Sequence, residues 1–272
     1  MKKLSTLLLL VLLFIAVAAK ADIVVQIHGY LGSANSWDNS GINTELSKQG
    51  WYKAGNVFMT PHGAMMAQYP ESSGGKPIYS VELPSRAPIM VQANILEQMI
   101  QDLQKRHPEE KITLVGHSAG GIVARLKLVQ FGAGNVNRLI TIASPHLGTG
   151  LAVYALKETS DILPIEFIKD IFGGSVYDTA KSSKGLLVDL VPVRPGSFLD
   201  WLNHQPHPDI EYISFIRGED HIRSGDQVVP GFSQDMNQVT ALRGRSKVYF
   251  IPTSHYLSPV DGNYLKVLLK SP

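Results

Sequence analysis

The feature that most constrains the fold is an alternation of short, β-branched apolar runs with segments of helical periodicity. The strand candidates lie at 23–27, 57–59, 78–81, 112–115, 139–142, 212–216 and 248–251, of which 57–59 and 78–81 are the weaker. The spacing of apolar residues predicts helices over 89–103 and 119–131. Near-continuous apolar strands are typical of parallel sheets covered on both faces. The sequence therefore predicts an α/β fold with a mostly parallel central sheet and helices on both faces.

The N-terminal residues have the pattern of a targeting segment. Two lysines precede an apolar run over 7–19, and Ala-Lys-Ala at 19–21 forms a small-x-small cleavage site. The run is shorter than the ~20 apolar residues that a membrane-spanning helix needs. We predict a signal peptide over 1–21, cleaved near Ala21, and an exported protein that is periplasmic or secreted. An uncleaved N-terminal anchor is the alternative.

Residues 22–272 are then expected to form one domain, in which the sheet pattern is interrupted once. Between 150 and 203 the strand rhythm gives way to apolar helical pieces such as 162–168, with glycines and prolines between them. We expect this stretch to be an insertion over the sheet and not a separate domain. Its apolar composition favours a hydrophobic substrate over a charged one.

Cysteine usage and net charge exclude several classes of function. The chain has no cysteine, which excludes disulfides, cysteine-ligated zinc, iron–sulfur clusters and thiol catalysis. The formal net charge is +2 and there is no basic tract, so nothing indicates a nucleic-acid partner. Any nucleophile is therefore an oxygen or an amine.

The sequence Gly-His-Ser-Ala-Gly at 116–120 stands between a predicted strand and a predicted helix. In such a turn the serine lies at a sharp corner with its hydroxyl exposed, and the flanking glycines permit close backbone packing. The five-residue pattern alone is a weak signal, but its place between 112–115 and 119–131 is the context that the motif requires. Ser118 is therefore the candidate nucleophile.

A serine hydroxyl needs a base that is held by an acid, and this topology places them in the chain order Ser, acid, His. His255 directly follows the last predicted strand and is the candidate base. His221 follows the preceding strand, where the acid is expected, and is interpreted as a loop residue. The candidate acids are Glu219, Asp220 and Asp226. Asp226 is favoured because a glycine-led turn and an apolar segment flank it.

The loop His-Gly-Tyr-Leu-Gly-Ser at 28–33 follows the first strand and can present backbone N–H groups to an oxyanion. We expect the backbone N–H groups of Tyr30 and Ala119 to form the oxyanion hole. His28 is interpreted as a hydrogen-bonded structural residue. His117 is adjacent to the nucleophile, but strand alternation predicts that its side chain points away.

Taken together, these segments resemble the α/β-hydrolase superfamily, and within it bacterial secreted lipases and the esterase domains related to inositol deacylases. The matching segments are 28–33, 115–125, 143–149, 226–230 and 254–255. The resemblance implies the α/β-hydrolase fold, with Ser118, Asp226 and His255 as nucleophile, acid and base. It also implies Tyr30 and Ala119 as the oxyanion donors, and a helical cap or lid in the insertion at 150–203. A packed helical cap and a mobile lid are both compatible with this apolar stretch.

Two features depart from the pattern of that superfamily. Many secreted lipases carry a disulfide, which this chain cannot form. Some bind calcium near the catalytic histidine through paired aspartates, and no such pair can be identified here. Asp200, Asp209 and Asp261 are loose candidates. We expect no cofactor and leave calcium unassigned.

The leading hypothesis is a serine hydrolase that cleaves carboxylic esters of apolar acyl chains through an acyl-enzyme. The expected partner is a small ester or a lipid substrate, with transient contact to a lipid surface. A thioesterase, a phospholipase or an amidase would use the same residues. The alternative from another class is a non-catalytic binding protein on the same fold, and the complete Ser, Asp, His order argues against it.

Overall fold

One sheet runs through the residues that the computed structural model describes, which are 22–68, 75–158, 176–218 and 225–269. Its strands are β1 (Ile23–Ile27), β2 (Trp51–Thr60), β3 (Gly63–Gln68), β4 (Lys76–Glu82), β5 (Ile112–His117), β6 (Val136–Ile142), β7 (Glu211–Arg217) and β8 (Ser246–Ile251). They lie in the order β3-β2-β4-β1-β5-β6-β7-β8. Neighbouring strands are parallel except β2 and β3, which form an antiparallel hairpin at one edge. The predicted mostly parallel sheet is confirmed.

Every predicted strand is present, and β1 has the predicted bounds. Strand β3 was not predicted. Its sequence, Gly-Ala-Met-Met-Ala-Gln, holds no β-branched residue, and its side chains are half-buried or exposed. Apolar periodicity is therefore weak there, and pairing with β2 from Gly55 opposite Gln68 to Thr60 opposite Gly63 is what makes it a strand.

Helices cover both faces of the sheet, as predicted. They are α1 (Ser36–Asn39), α2 (Ile42–Ser47), α3 (Ile89–Arg106), α4 (Ala119–Phe131), α5 (Gly150–Glu158), α6 (Val176–Ser182), α7 (Lys184–Asp189), α8 (Phe198–His204), α9 (Gly231–Gln234) and α10 (Pro259–Leu268). Alternate residues of β1 show the two layers: Val25 packs in a core with α3 and α4, whereas Val24 packs in a second core with Trp37 of α1 and Leu265 of α10. Both faces of the sheet are therefore apolar, which accounts for the continuous apolar runs.

The register of the sheet brings the carboxyl ends of its central strands together. Ile27 of β1 lies opposite Gly116 of β5, and His117 at the end of β5 lies opposite Ile142 of β6. Further along the sheet, Ile251 at the end of β8 lies opposite Arg217. Ligand sites in open α/β sheets lie outside the carboxyl ends of the strands, so the loops after β1, β5, β7 and β8 meet where such a site is expected.

The helices between β6 and β7 pack on the same face as α3 and α4. The buried side chains of these helices in that core are Ala152, Ala155, Leu186, Leu187, Leu199 and Leu202, and Leu190 joins them directly after α7. The side chain of Asp189 accepts a hydrogen bond of 2.8 Å from the backbone N–H of Ile89, which begins α3. Residues 159–175, with the predicted apolar piece at 162–168, lie outside the described residues. A cap or lid role for 150–203 stays a prediction.

The predicted signal peptide at 1–21 also lies outside the described residues. In the part of the chain that the structure does describe, no helix combines the length and the apolar character that crossing a membrane requires.

Candidate active site

Ser118 occupies a strained turn between β5 and α4. Its φ of 50° and ψ of −126° are unusual for a residue with a side chain, and its backbone N–H donates a hydrogen bond of 2.8 Å to the carbonyl of Ile142. Strain of this kind persists only where the surrounding structure enforces it, and it is concentrated at functional sites. The turn lifts the hydroxyl above the ends of the strands.

The glycines around Ser118 are required by close packing of the backbone. A Cβ on Gly120 would lie 2.4 Å from the carbonyl oxygen of His28, and one on Gly116 would lie 2.6 Å from Cα of Gly121. Real Cβ contacts do not occur at such distances, so α4 can approach β1 and β5 only without these side chains. The close approach of the helix to the sheet therefore holds Ser118 at its corner.

His255 and Asp226 meet Ser118 from two other loops. The imidazole Nε2 of His255 lies 3.0 Å from Ser118 Oγ, and its Nδ1 lies 2.8 Å from Asp226 Oδ2. Because a carboxylate only accepts, Nδ1–H donates to Asp226 and Nε2 is left to accept from the hydroxyl. Both side chains are largely buried, His255 at 8% and Asp226 at 6% exposure. The structure thus joins three residues that are far apart in sequence.

The loop that carries Asp226 holds its carboxylate in place. Oδ1 accepts hydrogen bonds from the backbone N–H groups of Val228, at 3.1 Å, and Val229, at 2.8 Å. The other oxygen is therefore aimed at His255 by a closed turn. The competing candidates Glu219 and Asp220, and the loop residue His221, lie outside the described residues, so the structure gives no geometry for them.

A buried ion pair fastens the loop that carries His255, and it was not predicted. Arg217 at the end of β7 lies 2.7 Å from Asp261 of α10, and neither side chain is exposed. The same guanidinium donates to the carbonyl oxygen of Ser254 at 2.9 Å and to the hydroxyl of Thr253. The pair thus ties the residues just before His255 to β7 and α10.

The sequence indicates the structural role of one member of this ion pair, Asp261. Ser258 and Asp261 form a capping box at the start of α10, and a serine followed three residues later by an acidic residue indicates such a cap. Nothing in the sequence indicates that Arg217 pairs with Asp261, because the two residues meet only through the fold.

The prediction that His117 points away from the nucleophile is wrong. Its Nε2–H donates a hydrogen bond of 2.9 Å to the backbone carbonyl of His255, and the two rings lie 5.2 Å apart. Gly116 faces α4, and alternation along β5 turns His117 to the other face of the sheet. The loop that carries His255 crosses that other face, so the His117 ring lies beside it. Burial, with the nearby His255, holds the pKa of His117 well below its usual value. A neutral His117 therefore supports the backbone of His255.

The loop after β1 lies directly on the nucleophile. A Cβ on Gly29 would stand 2.8 Å from Cβ of Ser118. His28 is buried, with Nε2 accepting from the backbone N–H of Leu83 at 3.0 Å and Nδ1–H donating to the carbonyl of Gly29. Burial lowers the pKa of His28. A neutral, doubly bonded imidazole fits the structural role expected of it and fixes the course of this loop.

The two residues expected to supply the oxyanion donors, Tyr30 and Ala119, belong to segments next to Ser118. Tyr30 lines the cavity in front of the hydroxyl, and its phenol donates a hydrogen bond of 2.9 Å to Ser183. Burial raises the pKa of the Tyr30 phenol. Ala119 is the first residue of α4, where backbone N–H groups have no partner within the helix. Both N–H groups therefore belong to segments that border the nucleophile.

A cavity of about 450 Å³ opens over the hydroxyl of Ser118. It is lined by Gly29, Tyr30, Leu31, Gly32, Ser36, Asn39, Ser40, His117, Ser118, Leu151, Val228, His255, Tyr256 and Leu257. Cavities of this size accommodate small organic ligands. The Nε2–Oγ contact of His255 and Ser118 thus faces space that a substrate can enter.

Behind the nucleophile, the guanidinium of Arg125 is buried among imidazoles and an amide. It donates to His146 Nδ1 at 3.1 Å, to Asn203 Oδ1 at 2.8 Å and to His207 Nε2 at 3.3 Å. Desolvation lowers the pKa of Arg125 to about 9. Burial and the charge of Arg125 lower the pKa of His207 to about 4 and hold that of His146 well below its usual value. The cluster joins α4 to α8 with the histidines neutral.

The three loose calcium candidates do not lie together. Asp261 is bonded to Arg217, Asp209 is exposed and pairs with Arg245, and Asp200 accepts from the backbone N–H of Gly196. In the described ranges, no group of three or more histidine, aspartate or glutamate side chains is arranged to hold a metal ion.

Similar proteins include hydrolases. Residues 86–156 match the family model described as PGAP1-like alpha/beta domain. The chain is 31% identical over 101 residues to a GPI inositol-deacylase of Debaryomyces hansenii, and this match covers 35% of the chain and 9% of that protein. The chain spans less than a third of the length of the curated relatives that it matches.

Solved structures align over nearly the whole chain. The mature lipase BlEst2 of Bacillus licheniformis gives a TM-score of 0.62 at 18% identity, over 93% of each chain. The esterase EaEST of Exiguobacterium antarcticum gives 0.56 at 17% identity, over 92% of each chain. These likenesses confirm the fold that the sequence motifs imply. The similar proteins thus include a lipase, an esterase and a deacylase.

Proposed function

Because the chain has the α/β-hydrolase fold, we propose that it is a serine hydrolase that cleaves carboxylic esters. The observation that carries this proposal is the continuous hydrogen-bonded arrangement of Ser118, His255 and Asp226, with contacts of 3.0 and 2.8 Å, at the floor of an open cavity. A serine that is activated by an imidazole, itself oriented by a buried carboxylate, is the arrangement that acyl transfer requires. No cofactor takes part in this chemistry.

In the proposed reaction, Ser118 Oγ attacks the ester carbonyl while His255 Nε2 takes the hydroxyl proton. Asp226 stabilises the resulting imidazolium through Nδ1–H and keeps the ring in the required orientation. The imidazolium then gives its proton to the departing alcohol, which leaves an acyl-enzyme. Water, deprotonated by the same nitrogen, attacks the acyl group and releases the acid and free Ser118.

The tetrahedral intermediates in both halves of the reaction carry a negative oxygen. We assign the backbone N–H groups of Tyr30 and Ala119 as its donors. Each such donor is worth about 3–4 kcal/mol of transition-state stabilisation when removed. The strained φ of Ser118 supports this assignment, because it fixes the start of α4 directly behind the hydroxyl.

The proposed acyl group is apolar. Leu31, Leu151 and Val228 are among the residues that line the cavity, and apolar residues there favour an aliphatic chain over a charged group. The same residues could act on a thioester or a phospholipid, so the bond type is part of what must be tested. The N-terminal pattern at 1–21 supports action outside the cytoplasm, in the periplasm or the medium, where transient contact with a lipid surface is expected.

A series of p-nitrophenyl esters of increasing acyl length tests the proposal, assayed below and above the solubility limit of each ester. We expect saturable hydrolysis by the wild type and none by Ser118→Ala, which keeps the turn but lacks the hydroxyl. A rise in rate when the substrate aggregates supports a lid-gated lipase, and a preference for short, soluble esters rejects that form. If the folded wild type cleaves no ester and no thioester, the serine-hydrolase proposal is rejected in favour of a non-catalytic binding protein on the same fold.

A further inference from the structure

The loop that follows β1 holds an unfavourable backbone conformation beside the nucleophile. Leu31 has a φ of 57°, in the left-handed region that a residue with a large side chain rarely adopts. Strain of this kind persists only where the surrounding structure enforces it. The loop at 28–34 therefore depends on its attachments to neighbouring parts of the fold, and these attachments decide where its backbone N–H groups point.

The peptide group between Gly29 and Tyr30 is fixed through its carbonyl. The Gly29 oxygen accepts from the backbone N–H of Gly32 at 3.0 Å and from Nδ1–H of His28 at 3.0 Å. This peptide group is trans, so its C=O and its N–H point in opposite directions. The bonds that hold the Gly29 carbonyl therefore also set the direction of the Tyr30 N–H, which is one of the two proposed oxyanion donors.

The imidazole of His28 is held in turn by the end of β4. Its Nε2 accepts from the backbone N–H of Leu83 at 3.0 Å, so its proton is on Nδ1, where it bonds to Gly29. Strand β4 lies directly beside β1, with Val81 opposite Ile27. The first residue of the loop is thus tied to the neighbouring strand.

Glu82, the last residue of β4, ties the other end of the loop to the same place. Its Oε2 accepts from the backbone N–H of Ala34 at 2.8 Å, and because Ala34 is only 1% exposed, this N–H needs a partner. The other carboxylate oxygen lies 3.9 Å from Nε2 of His28, beyond hydrogen-bond distance, and that nitrogen already accepts from Leu83. Glu82 therefore acts on the loop through its bond to Ala34.

We propose that Glu82 is a positioning residue for the oxyanion hole. By accepting the hydrogen bond of Ala34 it closes the strained loop against β4 and keeps the Tyr30 N–H aimed at the oxyanion. The inference rests on the proposed ester hydrolysis. Glu82 is not among the residues that line the cavity over Ser118, so its effect belongs to the transition state, in which the oxyanion is charged, and not to binding of the ester.

Glu82→Met tests this role, because methionine keeps the length of the side chain and removes the acceptor. We expect kcat for p-nitrophenyl butyrate to fall about 10- to 100-fold, since a misplacement of about 1 Å costs up to about 100-fold. KM should stay within about threefold of the wild-type value, because the ester itself carries no oxyanion. Glu82→Gln keeps an acceptor oxygen without the charge, and it should retain kcat within about threefold.

Inhibition by a trifluoromethyl ketone separates this role from a general loss of structure. The adduct of the ketone with Ser118 carries an oxyanion, as the tetrahedral intermediate does. Its inhibition constant should therefore rise in Glu82→Met by the factor by which kcat/KM falls, and stay at the wild-type value in Glu82→Gln. Glu109→Met makes the same exchange at an exposed position before β5, at the end of that strand away from Ser118, and should change neither quantity.

Circular dichroism and urea unfolding identify a temperature at which every variant is folded, and the assays are run there. A Glu82→Met variant with wild-type kcat overturns the positioning role. So does a Glu82→Gln variant that loses as much kcat as Glu82→Met, because the charge and not the acceptor is then responsible, and so does a loss confined to KM. All three results leave the serine hydrolase intact. A folded wild type that cleaves no ester overturns the proposed function itself, and the role of Glu82 with it.

Discussion

Replacing Arg217 with methionine separates the stability of this fold from the positioning of its base. Arg217 and Asp261 are both fully buried at 2.7 Å. Removing one member of a buried ion pair costs about 3–5 kcal/mol, because the other charge is left without a partner. Arg217→Met also removes the donors to Thr253 and Ser254, the two residues that lead into His255.

The double variant Arg217→Met/Asp261→Asn removes the abandoned charge but keeps a side-chain oxygen to cap α10. It should recover about 1–3 kcal/mol of the loss, which is the usual penalty of an unsatisfied buried group. It does not restore the bonds to Thr253 and Ser254. We therefore expect kcat of both variants to fall about 100-fold with little change in KM, since a small displacement of a catalytic group costs that much.

Urea unfolding gives the stabilities, and kcat for p-nitrophenyl butyrate is measured at a temperature where each variant is folded. Arg217→Lys is the control that keeps the positive charge but loses the several N–H donors of the planar guanidinium. It should retain most of the stability and only part of kcat. If the double variant turns over within twofold of the wild type, Arg217 has no part in positioning His255, and the reasoning is refuted.

Three further predictions follow from other parts of the structure. The folded-state pKa of His207, about 4, lies below the unfolded value of about 6.5, so the stabilisation from a neutral His207 is complete above pH 6.5 and falls by about 3 kcal/mol as the pH drops toward 4. His207→Gln should lose this contribution to the pH dependence of the free energy of unfolding, measured by urea or heat. An unchanged pH dependence contradicts the assignment. Asp226→Asn should lower kcat about 10⁴-fold with the fold intact by circular dichroism, because His255 loses its orienting acceptor; a near-normal rate transfers the role to Asp220. Gly120→Ala should lower the free energy of unfolding by about 3 kcal/mol, because the added Cβ clashes with the carbonyl oxygens of Ile27 and His28. A Cβ on Gly150 would have no atom within 4 Å, so Gly150→Ala should leave the stability unchanged. Equal effects of the two variants would refute the packing argument.

The fold was largely predictable because its signals are local. Apolar runs at fixed positions give the strands, and the glycines around Ser118 place a turn between β5 and α4. The predicted bounds of α4 agree with the structure, whereas β5 extends two residues beyond its predicted end, to His117. The edge strand β3 escaped prediction because its sequence has no strand signal of its own and depends on pairing with β2.

The site was predictable only in part, since much of it depends on contacts between distant segments. Chain order and strand ends selected His255, and a glycine-led turn favoured Asp226 among three candidate acids. In the structure His255 contacts Ser118, and Asp226 contacts His255. Strand alternation gave the correct face for His117, but not the loop that crosses this face. Arg217 and Asp261 are 44 positions apart in the sequence, and no local sequence pattern predicts that they pair.

Labelling of Ser118 by a fluorophosphonate tests the central claim most directly, because the probe phosphonylates activated serine hydroxyls much faster than ordinary ones. We predict one adduct on the folded wild type, mapped by mass spectrometry to the peptide containing Ser118, and none on Ser118→Ala. Asp226→Asn should label much more slowly than the wild type. A folded wild type that remains unlabelled, or a Ser118→Ala variant that labels equally, would contradict the assignment of Ser118 as the nucleophile.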